Sequence, residues 1–184
     1  MTASSTNRPQ PALDGGAVIR VLDIIEETVA DGPGLRTAIY CAGCGHRCPD
    51  CHNPQSWDFD GGREMTVDEI MEIIRADEFS NVSFSGGDPF FQAEAFTLLA
   101  KRIKEETGKT IWCWTGFVYE DILKDGKMSA MLEYIDVLVD GPFISEKKDP
   151  ELIFRGSSNQ RIIYLHGKPE EEVIEGTVPL KPVK

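Results

Sequence analysis

Chemistry is most visible in this chain where its cysteines crowd together. Four of the five stand in CAGCGHRCPDCHN (41–53), spaced Cys41-x2-Cys44-x3-Cys48-x2-Cys51. Thiolates are soft ligands that suit zinc and iron–sulfur clusters. A structural zinc site commonly takes two ligand pairs with a longer spacer between them. Here the spacer is three residues and no second pair follows. A bacterial ferredoxin run spaces its cysteines x2, x2, x3 and ends in proline, an order not followed here. A disulfide framework belongs to oxidising compartments. The opening MTASSTNRPQPALDGG has no apolar core of a secretory signal, and no apolar run reaches membrane-spanning length. The chain is therefore expected in the cytoplasm, where clustered thiols bind metal or react. The four need not act alike. Cys41 closes the apolar run TAIYC and is expected to be a buried small hydrophobe, as is Cys113 in IWCWT. His46 and His52 are expected to shape the loop and donate hydrogen bonds, and His166 to be ordinary surface.

Around this segment, 41% hydrophobic and 27% charged residues describe a globular chain, and its 184 residues suit one domain. The net charge of −12 argues against nucleic acid and anionic membrane as partners. Residues 1–15 read as a flexible arm and 167–184 as a tail, flanking one domain over 16–166. Strands are expected at 17–25, 36–43, 81–85, 110–115, 137–141 and 161–165, with DGPG (31–34) as a turn between the first two. Thr66 and Glu69 form a capping box, with Met65 stapled to Ile70. Val67, Ile70, Met71 and Ile74 then mark one helical face. A second helix is expected over 92–107 with Gly108 as its stop, and a third over about 119–134, weakened by Gly126. Trp112 and Trp114 are expected to divide between the two faces of their strand.

Strands alternating with helices predict parallel βαβ units. Four or five such units are too few for an eight-unit barrel. The fold class is therefore α/β: an open partial (β/α) barrel, a parallel sheet with flanking helices. Ligands of such sheets sit at the carboxyl ends of the strands. The cysteine segment, GGDP (86–89), WTGF (114–117) and DGPF (140–143) all lie just after strands and should converge there.

Cys44-x3-Cys48-x2-Cys51 resembles the signature of the radical S-adenosylmethionine enzymes. DGPGLRTAIYCAGCGHRCPDCHNPQSW is similar to their glycyl-radical-enzyme activating branch. SFSGGDP, IWCWTGF, VLVDGPF and DPELIFRGSSNQR together resemble the activating proteins of anaerobic ribonucleoside-triphosphate reductases, in the right order from about 18 to 165. The resemblance implies a [4Fe–4S] cluster on Cys44, Cys48 and Cys51, its fourth iron open to S-adenosylmethionine. It implies reductive cleavage of that cofactor and hydrogen abstraction from a glycine of the large reductase subunit. A flavodoxin- or ferredoxin-type electron donor is implied as a second partner. Gly86 and Gly87 would let backbone approach the methionine end, and Asp88 would accept from its amino group. Thr115 would face the same pocket, Asp140 would bind the cofactor or a cation near it, and His52 would stack on the adenine. Ser157 and Asn159 would offer polar groups to the cofactor or the incoming glycine loop, and Arg155 and Arg161 would pair with the methionine carboxylate or with the partner. Many members carry an aromatic residue before the third cysteine. This chain has Asp50, so adenine contacts fall to His52, Phe117 or backbone. No second cysteine set implies an auxiliary cluster. Two other readings remain: activation of a different glycyl radical enzyme, such as a pyruvate formate-lyase-like partner, and a non-enzymatic metal-binding interaction module.

Overall fold

The structure, a computed structural model, describes residues 16–167 and 177–179. The expected arm lies outside the described residues, as does most of the expected tail. One eight-stranded sheet runs in the order β3-β1-β2-β4-β5-β6-β7-β8. Its strands are β1 Val18–Thr28, β2 Arg36–Cys41, β3 Arg63–Thr66, β4 Asn81–Gly86, β5 Ile111–Trp114, β6 Val137–Asp140, β7 Arg161–Tyr164 and β8 Thr177–Pro179. The helices are α1 Val67–Ala76, α2 Ala93–Thr107, α3 Tyr119–Ile122 and α4 Gly126–Met131.

The mixed α/β class is as expected, but the sheet is only partly parallel. β2, β4, β5 and β6 are parallel neighbours. β1 pairs antiparallel with both β2 and β3, and β7 antiparallel with β6. The reason lies in the connections. Parallel neighbours need a crossover of a dozen or more residues, and the turn at 29–35 has no room for one. Helical crossovers join β2 to β4, β4 to β5 and β5 to β6, three instead of the four or five expected. β3 was not foreseen. It pairs Val18 with Thr66 through Val21 with Arg63, placing a strand directly before α1. β8 lies within the segment expected to be a tail and extends the sheet parallel to β7.

Helix α1 starts as the sequence predicts. Thr66 Oγ1 accepts from the Glu69 amide at 3.2 Å, and Glu69 Oε2 accepts from the Thr66 amide at 2.7 Å. Val67, Ile70, Met71 and Ile74 are buried against the sheet. Helix α2 ends at Gly108, which takes the left-handed conformation (φ +68°). The single helix expected over 119–134 is two short ones. Asp125 stops the first and caps the second, accepting from the Lys127 and Met128 amides at 2.8 and 3.0 Å.

The helices pack on one face of the sheet. Their apolar residues join Ile39, Cys41, Val82, Phe84, Ile111, Cys113 and Leu138 in the main core. The other face carries a smaller cluster of Trp112, Val137, Val139, Ile162 and Tyr164, packed by Trp114 and Phe154. Trp112 and Trp114 therefore share a face, with ring centroids 5.7 Å apart. Residues two apart in a strand point the same way, so the expected division between faces was wrong. The division runs instead between the tryptophans and Cys113. No helix among the described residues is long and apolar enough to cross a membrane.

Candidate iron–sulfur site

β2 delivers the chain to the carboxyl end of the parallel strands at Cys41, and the cysteine loop follows at once. Cys41 is fully buried in the main core, and Cys113 likewise. Burial pushes both thiols well above their ordinary range, which suits the inert role expected of them. Cys44 is buried, whereas Cys48 and Cys51 are half-buried. The loop turns sharply. Gly43, Arg47 and Asp50 all have positive φ (+91°, +47° and +56°). For the two non-glycines this conformation costs about 1–2 kcal/mol each, a strain of the kind that clusters at functional sites.

Backbone amides surround two of the sulfurs. Burial raises the Cys44 thiol, while the amides of His46 and Arg47 hydrogen-bond to it and pull the other way. The Asn53 amide donates to Cys51 Sγ at 3.4 Å. Such N–H groups stabilise thiolate and tune iron–sulfur potentials, so the donor set suits a cluster. Among the described residues no three His, Cys, Asp or Glu side chains gather as closely as one metal ion requires. A cluster asks instead for one thiolate at each of three irons.

The next strand end seats this loop. The Gly87 amide donates to Cys41 O at 2.8 Å and the Asp88 amide to Gly43 O at 3.0 Å. Gly86 has φ +98°, and a Cβ there would lie 2.5 Å from Cys41 N. A Cβ on Gly87 would lie 2.5 Å from Gly43 O. Both glycines are thus required by contact of the chain with itself, whatever approaches from outside. Asn53 Nδ2 donates to Gly86 O at 3.1 Å, closing the loop from its far end.

Asp88 is 1% exposed and faces inward. Its Oδ1 accepts from the Phe90 amide at 3.0 Å. Its Oδ2 accepts from Thr115 Oγ1 and the Gly116 amide, both at 2.9 Å, and lies 2.8 Å from His46 Nε2. Thr115 is also buried. The structure therefore joins Cys44–Cys51, Gly86–Asp88 and Thr115 into one connected assembly.

Asp140 and Asn159 lie further along the sheet. Asp140, 1% exposed, accepts from Arg161 Nε and from the Tyr119 amide at 2.9 and 2.8 Å, and pairs with Arg161 Nη2. Arg161 also forks onto Glu120 at 2.9 and 2.8 Å and holds its carboxyl down to about 2. Both groups expected to meet a ligand thus have partners within the chain. Asn159 differs. Its Nδ2 donates to Pro142 O at 2.7 Å, but its Oδ1 is buried with no partner among the described residues. Arg155 Nε is likewise buried and unpartnered. Buried polar atoms are rarely left so. Ser157 is fully buried and accepts from the Ile144 amide at 3.2 Å. His166 is exposed, as expected.

A cavity of about 250 Å³ opens beside the cysteine loop, lined among others by Asp31, His52, Trp114, Phe143, Phe154 and Arg155. His52 lines this cavity together with Trp114, Phe143 and Phe154. Phe143 and Phe154 lie in the DGPF and DPELIFRGSSNQR segments but had no individual role assigned, and Asp31 had none because DGPG signalled only a turn. Phe117 instead packs on His46, centroids 4.5 Å apart.

Residues 30–163 match the family model described as "4Fe-4S single cluster domain". The match spans every residue of the assembly. The chain is 40% identical over 144 residues to the anaerobic ribonucleoside-triphosphate reductase-activating protein of Haemophilus influenzae, covering 73% of this chain and 90% of that one. The protein of the same name from Vibrio cholerae is 41% identical over 143 residues, with the same coverage. That of Escherichia coli K12 is 36% identical over 145 residues, covering 74% and 93%. The chain belongs to the anaerobic ribonucleoside-triphosphate reductase-activating protein family. A member of this family is an activating enzyme, and its matched region is an iron–sulfur domain. Among solved structures, QueE from Escherichia coli aligns with a TM-score of 0.48 at 12% identity, over 56% of this chain and 54% of that one.

Proposed function

We propose that this chain is a radical S-adenosylmethionine activase, acting in the cytoplasm on the large subunit of an anaerobic ribonucleoside-triphosphate reductase. The observation that carries the reading is the loop of Cys44, Cys48 and Cys51 at the carboxyl end of the parallel strands, beside Gly86–Asp88 and Thr115. A [4Fe–4S] cluster on those thiolates would pass one electron to the sulfonium of S-adenosylmethionine, releasing methionine and a 5′-deoxyadenosyl radical that takes a hydrogen atom from the glycine α-carbon. The amides on Cys44 and Cys51 support thiolate ligation. His52, Trp114 and Phe154 offer aromatic faces to an adenine. Asn159 Oδ1 and Arg155 Nε are an acceptor and a donor that cofactor or glycine loop would satisfy. Gly86, Gly87 and Thr115 bound the methionine end with backbone and hydroxyl. Asp140 shapes its edge of the pocket through Arg161.

Within this reading the domain spans 16–166 and its sheet forms an open partial barrel. Among the described residues no helix joins the core cluster on one sheet face, and a protein loop needs such an opening. A flavodoxin- or ferredoxin-type protein supplies the electron. The test is anaerobic reconstitution, followed by S-adenosylmethionine cleavage with a reductant and mixing with candidate partners. The expected result is a doublet electron-spin signal in the reductase large subunit and none in a pyruvate formate-lyase-like enzyme. Stoichiometric zinc without iron would sink the reading.

A further inference from the structure

We infer that Asp88 is a positioning residue: its carboxylate clamps His46, and through His46 the middle of the cysteine loop, and does not bind a ligand. A carboxylate offers about four lone-pair positions. Here Oδ2 accepts from three donors, Thr115 Oγ1, the Gly116 amide and His46 Nε2, and Oδ1 accepts from the Phe90 amide. The group is 1% exposed, so the protein itself closes off the carboxylate from an ammonium group. The four donors come from three separate strand-end segments, so the carboxylate ties them into one floor.

His46 is the ring that Asp88 holds. A carboxylate only accepts, so Nε2 carries the proton between them. The imidazole is packed by Phe117 and Phe91, with centroids 4.5 and 5.4 Å away. On another side Gly116 leaves no room, since a Cβ there would lie 2.5 Å from His46 Cδ2. His46 sits midway between Cys44 and Cys48 in the sequence. Fixing the ring fixes the backbone of His46 and Arg47, the middle of the cysteine loop. The link to the cluster rests on the reading of Cys44 as a ligand. The clamp itself does not.

The test uses Asp88→Asn, His46→Ala, His46→Gln and the double variant Asp88→Asn/His46→Ala. Asparagine would turn an NH2 group toward donors, and alanine would remove the clamped ring. In the cluster-free full chain, amide hydrogen exchange of His46 and Arg47 should speed up about tenfold in both single variants. The double variant should be no faster than either, because both changes break one contact. His46→Gln, whose amide can still donate to Asp88, should stay near the wild type. After anaerobic reconstitution both single variants should hold less iron. The loaded fraction should bind S-adenosylmethionine, read by the perturbed electron-spin signal of the reduced cluster, within about threefold of the wild type. Asp88→Asn with wild-type exchange and iron content, but cofactor binding about tenfold weaker, would overturn the inference. So would additive effects in the double variant. The exchange data decide the clamp even if the wild-type chain takes up no iron, an outcome that would defeat only the proposed activity.

Discussion

Ser145 Oγ donates a 2.5 Å hydrogen bond to Asp50 Oδ2. The pair joins the loop after β6 to the residue just before Cys51. Asp50 thereby anchors the cysteine loop, beside a cavity lined by Trp114, Phe143 and Phe154. Asp50 also holds positive φ, which Asp tolerates better than most residues. Asp50→Asn should therefore change stability by less than about 0.5 kcal/mol, and Asp50→Val should cost about 1–2 kcal/mol. Urea unfolding of the two variants checks the difference.

The cysteines should separate cleanly by role. Ala at Cys44, Cys48 or Cys51 should abolish the cluster in iron and sulfide analysis. Cys41→Ala should keep it and lose about 1 kcal/mol of stability, the cost of a small cavity in the core. Loss of iron in Cys41→Ala would contradict this assignment.

Two glycines of similar sequence appearance should respond oppositely to alanine. Gly87→Ala drives a Cβ into Gly43 O, a backbone atom that cannot step aside, and should cost about 2–3 kcal/mol. Gly126 opens α4 with nothing within 4 Å of its would-be Cβ. Gly126→Ala should stabilise the chain by about 0.5 kcal/mol. Thermal melting of the two variants decides.

Asp140→Asn leaves Arg161 partly buried and short of a carboxylate, and should cost about 2–3 kcal/mol. Glu120→Gln touches the same guanidinium from an exposed position and should cost less than about 1 kcal/mol. If the two cost the same in denaturant titrations, Asp140 is not the structural anchor of Arg161.

Asp77 links the end of α1 to β4. Burial raises its pKa, but hydrogen bonds from Ser80, the Phe79 amide and Thr37 outweigh that and hold the carboxyl at about 2. Its native value thus lies below the unfolded one of about 3.9. The stabilisation is complete above the unfolded value and is lost as pH falls toward 2. Urea midpoints should drop between about pH 4 and pH 2, and Asp77→Asn should flatten that part of the profile while lowering stability at neutral pH. An unchanged acid slope in the variant would refute the assignment.

Local signals survived well into the structure because they depend on near neighbours. The capping box at Thr66 and Glu69, the apolar face of α1 and the glycine stop at Gly108 all formed as read. So did the burial of Cys41 and Cys113. Signals that needed a partner strand did not carry over. REMT gave no sign of β3, since four polar-rich residues become a strand only by pairing with β1. The helix expected over 119–134 broke because Asp125 offered its side chain to two amides, a choice propensity alone does not settle. The two tryptophans were misplaced by a miscounted period.

By itself the sequence determined the spacing of three thiols, the positions of the strand ends and hence the edge on which they meet. These are properties of periodicity and of short spacers. Tertiary structure alone decided what each polar side chain does at that edge. Asp88 and His46 are 42 residues apart, and nothing local announces that the carboxylate faces the ring and not a ligand. Asp140 likewise faces Arg161, a partner that the pairing of β6 with β7 supplies. A charged side chain near a site goes wherever burial leaves it a partner, and that partner comes from packing.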